Sequence, residues 1–156
     1  MAWMQFLPTP EGPDPLPVRE RPLWGRLLLL AAALTVLATK APWLRVKFER
    51  LFGDHNGPPG WESPAGFTCL CTSMMVAMMA LVESGTRESQ QAVRPGSLLL
   101  TAIALVTLAL AAMQGPGDLR SVSASWTGWF YLACATTPLL CYASFVRWLH
   151  CQPERR

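Results

Sequence analysis

Side chains able to do covalent or metal chemistry are few in this chain, and their spacing suits it badly. Five cysteines (Cys69, Cys71, Cys134, Cys141, Cys151) and two histidines (His55, His150) make up the supply of soft ligands and bases. Cys69 and Cys71 stand two apart, too close for relaxed disulfide geometry within a helix. They also lack the Cys-x-x-Cys spacing and the nearby His partners of a zinc site. Four of the cysteines lie in or at the lip of apolar segments, where cysteine behaves as a small buried hydrophobe. His55 falls in a polar loop and His150 beyond the last apolar segment, so both read as solvated surface residues. No HExxH, glycine-rich phosphate loop, Ser–His–Asp set or carboxylate pair occurs. The expectation is a protein that is not an enzyme, with no catalytic residues, no cofactor and no metal.

The elements that would carry any function are four apolar stretches, Trp24–Thr39, Ala65–Val82, Ser97–Met113 and Trp126–Val146. None holds an internal Asp, Glu, Lys or His; Arg26 and Glu83 stand only at segment edges. At about 1.5 Å of rise per residue these runs reach about 24–31 Å, close to the hydrocarbon thickness of about 30 Å. Inside a bilayer an unpaired backbone N–H or C=O costs several kcal/mol, so segments that cross it must be helices. The fold class expected is therefore an all-α membrane protein, a four-transmembrane-helix up-down bundle. A mean hydropathy of +0.26 agrees with this. So do runs such as Leu27–Leu34 and Leu98–Met113, which are apolar on every face rather than on one stripe. The first stretch makes a poor signal peptide, because a long polar, Pro-rich segment precedes it and no A-x-A site comes before Lys40. The net charge of +3 is spread along the chain without a basic patch, which argues against nucleic acid as a partner.

Three segments follow from this reading. Residues 1–22 form a flexible arm rich in proline (Pro8, Pro10, Pro13, Pro15, Pro17, Pro22), 23–149 the transmembrane domain, and 150–156 a short tail. With both ends on one side, eight of the thirteen basic residues fall on the side of the termini. The positive-inside rule then places both termini in the cytoplasm. The first outer connection, Lys40–Pro64, is the longest. Leu44-Arg-Val-Lys-Phe-Glu49 alternates apolar and charged residues and favours a strand, with an interfacial helix as the close competitor. Asn56-Gly57 reads as a reverse turn, so a small β-hairpin is expected in that loop. Glu83–Gly96 reads as a short polar cytoplasmic loop and Gln114–Ser125 as a tight outer turn. Loops this short make consecutive helices antiparallel neighbours.

Helices in lipid associate through close packing rather than hydrophobic drive. Ala102, Ala104, Ala109, Ala111 and Ala112 of the third span, with Ala133, Ala135, Thr136, Thr137 and Ala143 of the fourth, supply small faces. Met74, Met75, Met78 and Met79 read as flexible filler. Pro138 is expected to kink the fourth span, with Thr136 or Thr137 satisfying a freed carbonyl. Trp24, Trp43, Trp61, Trp126, Trp129 and Trp148 cluster near span ends as an interfacial belt.

The fourth span reads Ser123-Ala-Ser-Trp-Thr-Gly-Trp-Phe-Tyr-Leu-Ala-Cys-Ala-Thr-Thr-Pro138 and ends before Arg147. This Ser-Trp start, Gly-Trp step and mid-helix proline resemble the last helix of the claudin and peripheral myelin protein tetraspan superfamily. Trp43 followed by Gly60-Trp61 is similar to that family's W…GLW loop signature. The chain would be a divergent member: it lacks the loop cysteine pair and the middle Leu of GLW. The resemblance implies a tetraspan that acts through contacts.

The function expected is that of a non-enzymatic multi-pass membrane protein working through protein–protein contacts, as a junction or adhesion component or an accessory subunit of a channel. Trp43, Phe48, Phe52 and Trp61 are the candidate interface residues, since aromatics presented outside a membrane commonly anchor interfaces. Cys151 is the candidate palmitoylation site. The alternatives are a small transporter or lipid-handling protein using the cleft beside Pro138, and an assembly factor of the endoplasmic reticulum membrane. The short first and third spans fit that thinner bilayer. Expected partners are the lipid bilayer and other integral membrane proteins, with a homo-oligomer also compatible, and the plasma membrane is the expected location.

Overall fold

Where water is absent every amide must bond within its own segment, and four long helices do so here. The computed structural model describes residues 22–48, 53–83, 87–116, 118–119 and 122–150. It contains α1 (Pro22–Lys40), α2 (Pro64–Val82), α3 (Arg87–Gln114) and α4 (Gly128–Leu149), with strands β1 (Leu44–Phe48), β2 (Gly53–Asn56), β3 (Asp118–Leu119) and β4 (Val122–Trp126). All four helices are long and apolar enough to cross a membrane. The protein is a four-helix membrane bundle with a small sheet at the end where α1 and α3 finish and α2 and α4 begin.

Neighbouring helices pack in a closed ring, α1 on α2, α2 on α3, α3 on α4 and α4 back on α1, with the α1–α4 contact the most extensive. Its seam is built from small residues. Ala31, Ala32, Thr35, Ala38 and Thr39 of α1 are buried, as are Ala133, Thr136, Thr137, Ala143 and Ser144 of α4. Across it the Thr35 hydroxyl donates to that of Thr136 at 2.9 Å, and Thr136 donates on to the Leu132 carbonyl at 3.0 Å. The α3 stripe expected to pack is divided: Ala104 is buried and Ala102 and Ala111 are half-buried, whereas Ala109 and Ala112 are exposed. Met74, Met75 and Met78 are likewise on the outer face, touching lipid rather than filling the core. Thr136 bonds the carbonyls of Leu132 and Ala133, not the one Pro138 leaves without a donor. α4 runs as one helix through Pro138, which is exposed on its outward side.

Two loop assignments are corrected. α3 starts at Arg87, ten residues before the expected boundary, and passes through Pro95. Its polar first turns hold because Gln90 and Arg94 are buried against the other helices. The second outer connection is no simple turn: it contributes β3 and β4, and the sheet runs β2-β1-β4-β3, all antiparallel. β1 therefore pairs with β4 from Leu44↔Trp126 to Phe48↔Val122 and is the central link between both connections. The strand alternative for Leu44–Phe48 is the one realised. Asn56-Gly57 does not turn the hairpin: Asn56 pairs with Arg45, and the Gly57 N–H bonds the Leu44 carbonyl at 2.8 Å. Gly53, at φ 66°, takes the left-handed conformation that opens β2.

Bulk added to the α1–α4 seam must force helices apart. Ala143→Leu, at a position 0% exposed, is expected to destabilise the bundle by about 1–3 kcal/mol in bicelle unfolding titrations. Ala109→Leu, on the outward face of α3, is expected to change it by less than about 0.5 kcal/mol.

Candidate functional site

The sheet is fixed to the bundle at one joint. α1 ends at Lys40, which leaves its last carbonyls without helical donors. Trp43 Nε1 donates to one of these, that of Ala38, at 2.9 Å. The Trp43 carbonyl in turn accepts from the Thr127 N–H at 2.9 Å, and the Thr127 hydroxyl donates to the Pro42 carbonyl. The start of α4 is thereby tied to the end of α1. The Trp43 ring lies edge-on to Phe130 at 5.3 Å, and Phe130 stacks on Trp126 at 3.9 Å. Gly60 closes against the other side of the indole, where a Cβ would stand 2.3 Å from its ring atoms. From there the Ser63 hydroxyl donates to the Gly60 carbonyl at 2.7 Å and accepts from the Gly66 N–H at 3.0 Å, capping α2.

Above this joint the sheet has two unlike faces. Leu44, Val46, Ala124 and Trp126 are half-buried, and Arg45, Lys47, Ser123 and Ser125 are exposed. The register puts Arg45 opposite Ser125 and Lys47 opposite Ser123, so the outer face carries two cations beside two hydroxyls. Trp61 lies on a single 3-10 turn (Gly60–Glu62) that packs against α1 and α2, and is 44% exposed.

Of the four aromatics expected to form an interface, Trp61 alone is both described and exposed. Trp43 is 3% exposed and serves packing, so it is corrected from a contact residue to a core residue. Trp126 is likewise drawn onto Phe130 rather than held in a belt. Phe48 lies at the end of β1, opposite Gly53 and Val122. Phe52, Cys151 and the Pro-rich residues 1–21 lie outside the described residues. His55 belongs to β2 rather than to a loop, and His150 ends α4 with its ring Nδ1 2.7 Å from the Val146 carbonyl. Cys69, Cys71, Cys134 and Cys141 are free thiols, and no metal-competent cluster occurs among the described residues.

At the opposite end of the bundle lies a cluster that sequence reading missed. Glu83, read from the sequence simply as a charge at a segment edge, has a side chain only 6% exposed. Its Oε1 accepts from Arg94 Nε at 2.9 Å and its Oε2 from Arg147 Nη2. Arg94, 1% exposed, also donates from Nη1 to the Arg147 carbonyl at 2.9 Å, one of the terminal acceptors of α4. One carboxylate thus joins the ends of α2, α3 and α4. Its partners lie 11 and 64 residues away along the chain, so no local spacing announces them. The arrangement holds charge in place and presents no reacting group.

No protein-family model, curated protein or solved structure matches the chain.

Removing the shared carboxylate charge takes from two buried guanidinium groups the one acceptor that bridges them. Glu83→Gln is expected to cost about 3–5 kcal/mol of bundle stability, read as a lowered unfolding midpoint in bicelles. Arg26→Gln, at an exposed α1 position, is expected to stay within about 0.5 kcal/mol.

Proposed function

We propose that this multi-pass membrane protein acts through protein–protein contacts made by the outer face of its sheet, as a junctional component or as an accessory subunit of a channel or another membrane protein. We propose further that it is a divergent relative of the claudin and peripheral myelin protein tetraspans, with both termini cytoplasmic and the sheet outside the plasma membrane. The observation that carries the reading is the platform itself: Arg45, Lys47, Ser123 and Ser125 side by side on strands from two connections, with Trp61 exposed on the 3-10 turn that follows β2. A surface braced by two connections and a buried indole loses little freedom when it binds, which favours recognition. Cations and hydroxyls, with an exposed tryptophan at the same end of the bundle, suit an acidic or carbonyl-rich protein surface with an apolar pocket. The convergence of Trp43 on Gly60, next to Trp61, supports the family reading, because these are the residues of the loop signature.

Trp61→Ala combined with Arg45→Glu and Lys47→Glu changes exposed positions only, so surface abundance is expected to stay within about twofold of wild type. Proximity labelling from the sheet side in intact cells is expected to lose its main labelled partners by tenfold or more, about 1.4 kcal/mol or greater. An unchanged partner set at unchanged abundance overturns the proposal.

A further inference from the structure

Beneath the sheet, between the start of α2 and the end of α3, lies a cleft of about 600 Å³, within the usual range for small-molecule sites. Its inner end is formed by Trp43 and Trp126, whose rings are already fixed against Phe130. Its sides are Thr68 of α2 and Thr107 and Ala111 of α3. Both threonine hydroxyls are engaged by their own helices, Thr68 with the Pro64 carbonyl at 2.8 Å and Thr107 with the Ala104 carbonyl at 3.0 Å. The walls are therefore effectively apolar. Polarity returns at the mouth, where the Glu62 carboxylate and the Gln114 amide are both exposed.

The cleft runs into faces that the bilayer covers. Leu110, one of its lining residues, is 54% exposed on the membrane-spanning α3, and Phe67, which precedes the lining Thr68 on α2, is 56% exposed. A lipid can enter sideways without leaving the membrane. The mouth selects among lipids. A phosphate or carboxylate head would meet the Glu62 charge, whereas a neutral hydroxyl donates to Glu62 or exchanges hydrogen bonds with Gln114. The rigid indoles at the inner end favour a rigid apolar body, which gives up little conformational entropy on binding.

From the continuity of this cleft with the lipid-facing surface and the chemistry of its mouth, we infer that it binds a neutral, hydroxyl-bearing membrane lipid of the sterol class. The inference is independent of any protein partner on the outer face of the sheet.

The test uses the full chain in phosphatidylcholine vesicles doped with a diazirine-bearing cholesterol analogue, with labelled peptides mapped after irradiation. Labelling is expected to concentrate on residues 62–68 and 107–115 and to fall with excess unlabelled cholesterol. Ala111→Trp, which fills the cleft, should reduce that labelling at least fivefold. Gln114→Ala, at an exposed position that does not perturb packing, should reduce it about two- to tenfold at subsaturating probe. Leu99→Trp, 64% exposed elsewhere on α3, should leave it unchanged. Uniform labelling along the outward helix faces, equal labelling of the same peptides by a photoreactive phosphatidylcholine, or a cross-linked pair of chains through these peptides would each overturn the inference.

Discussion

One indole nitrogen bonded to one helix-terminal carbonyl decides the shape of the sheet end. A helix that stops inside or at the edge of lipid leaves acceptors that water cannot reach, and Trp43 Nε1 supplies a donor to Ala38. Making that bond folds the indole back under its own chain. β1 then leaves the bundle at a fixed angle beside the start of α4, and β4 lies alongside to pair with it. Gly60 has no Cβ because the indole occupies that space, and the adjoining 3-10 turn then leads into the Ser63 cap of α2. The sheet, the cap and the cleft all follow from where that ring sits.

The far end solves the same problem with charge. Desolvating a carboxylate and two guanidinium groups is costly, and such groups persist only where their hydrogen bonds are filled. Glu83 divides its two oxygens between Arg94 and Arg147, and Arg94 goes on to serve a terminal carbonyl of α4. Between the two ends alanine, serine and threonine allow close approach, and Leu28, Val76 and Leu140 fill the space between them. The bundle is therefore gripped at both ends and closely packed between them, leaving large apolar side chains such as Leu99, Val106 and Leu110 to the lipid.

The four spans were legible because each is an uninterrupted apolar run, a signal that needs no tertiary context. β1 was legible for a similar reason, since Leu44-Arg-Val-Lys-Phe48 alternates with period two. Val122-Ser-Ala-Ser-Trp126 alternates as well, yet its serines and alanine have weak strand preference and the preceding Gly115-Pro-Gly117 reads as a turn. Pairing with β1 makes it a strand. Asn56-Gly57 carried a strong turn signal that the ladder overrode. The Glu83 cluster was invisible because its members belong to three segments, each resembling an ordinary flanking charge. Trp43 was misread because an aromatic just past a span end looks the same whether it faces a partner or caps a carbonyl.

The most direct measurement of the Trp43 claim is disulfide formation between cysteines placed at Arg45 and Ser125, which face each other across β1 and β4 and are both exposed. In native membranes, on a background without the other cysteines, rapid formation is expected with Trp43 present and at least a tenfold slower rate with Trp43→Ala. An equal rate in both chains would contradict the account, since the two connections would then pair without the indole that is held to align them.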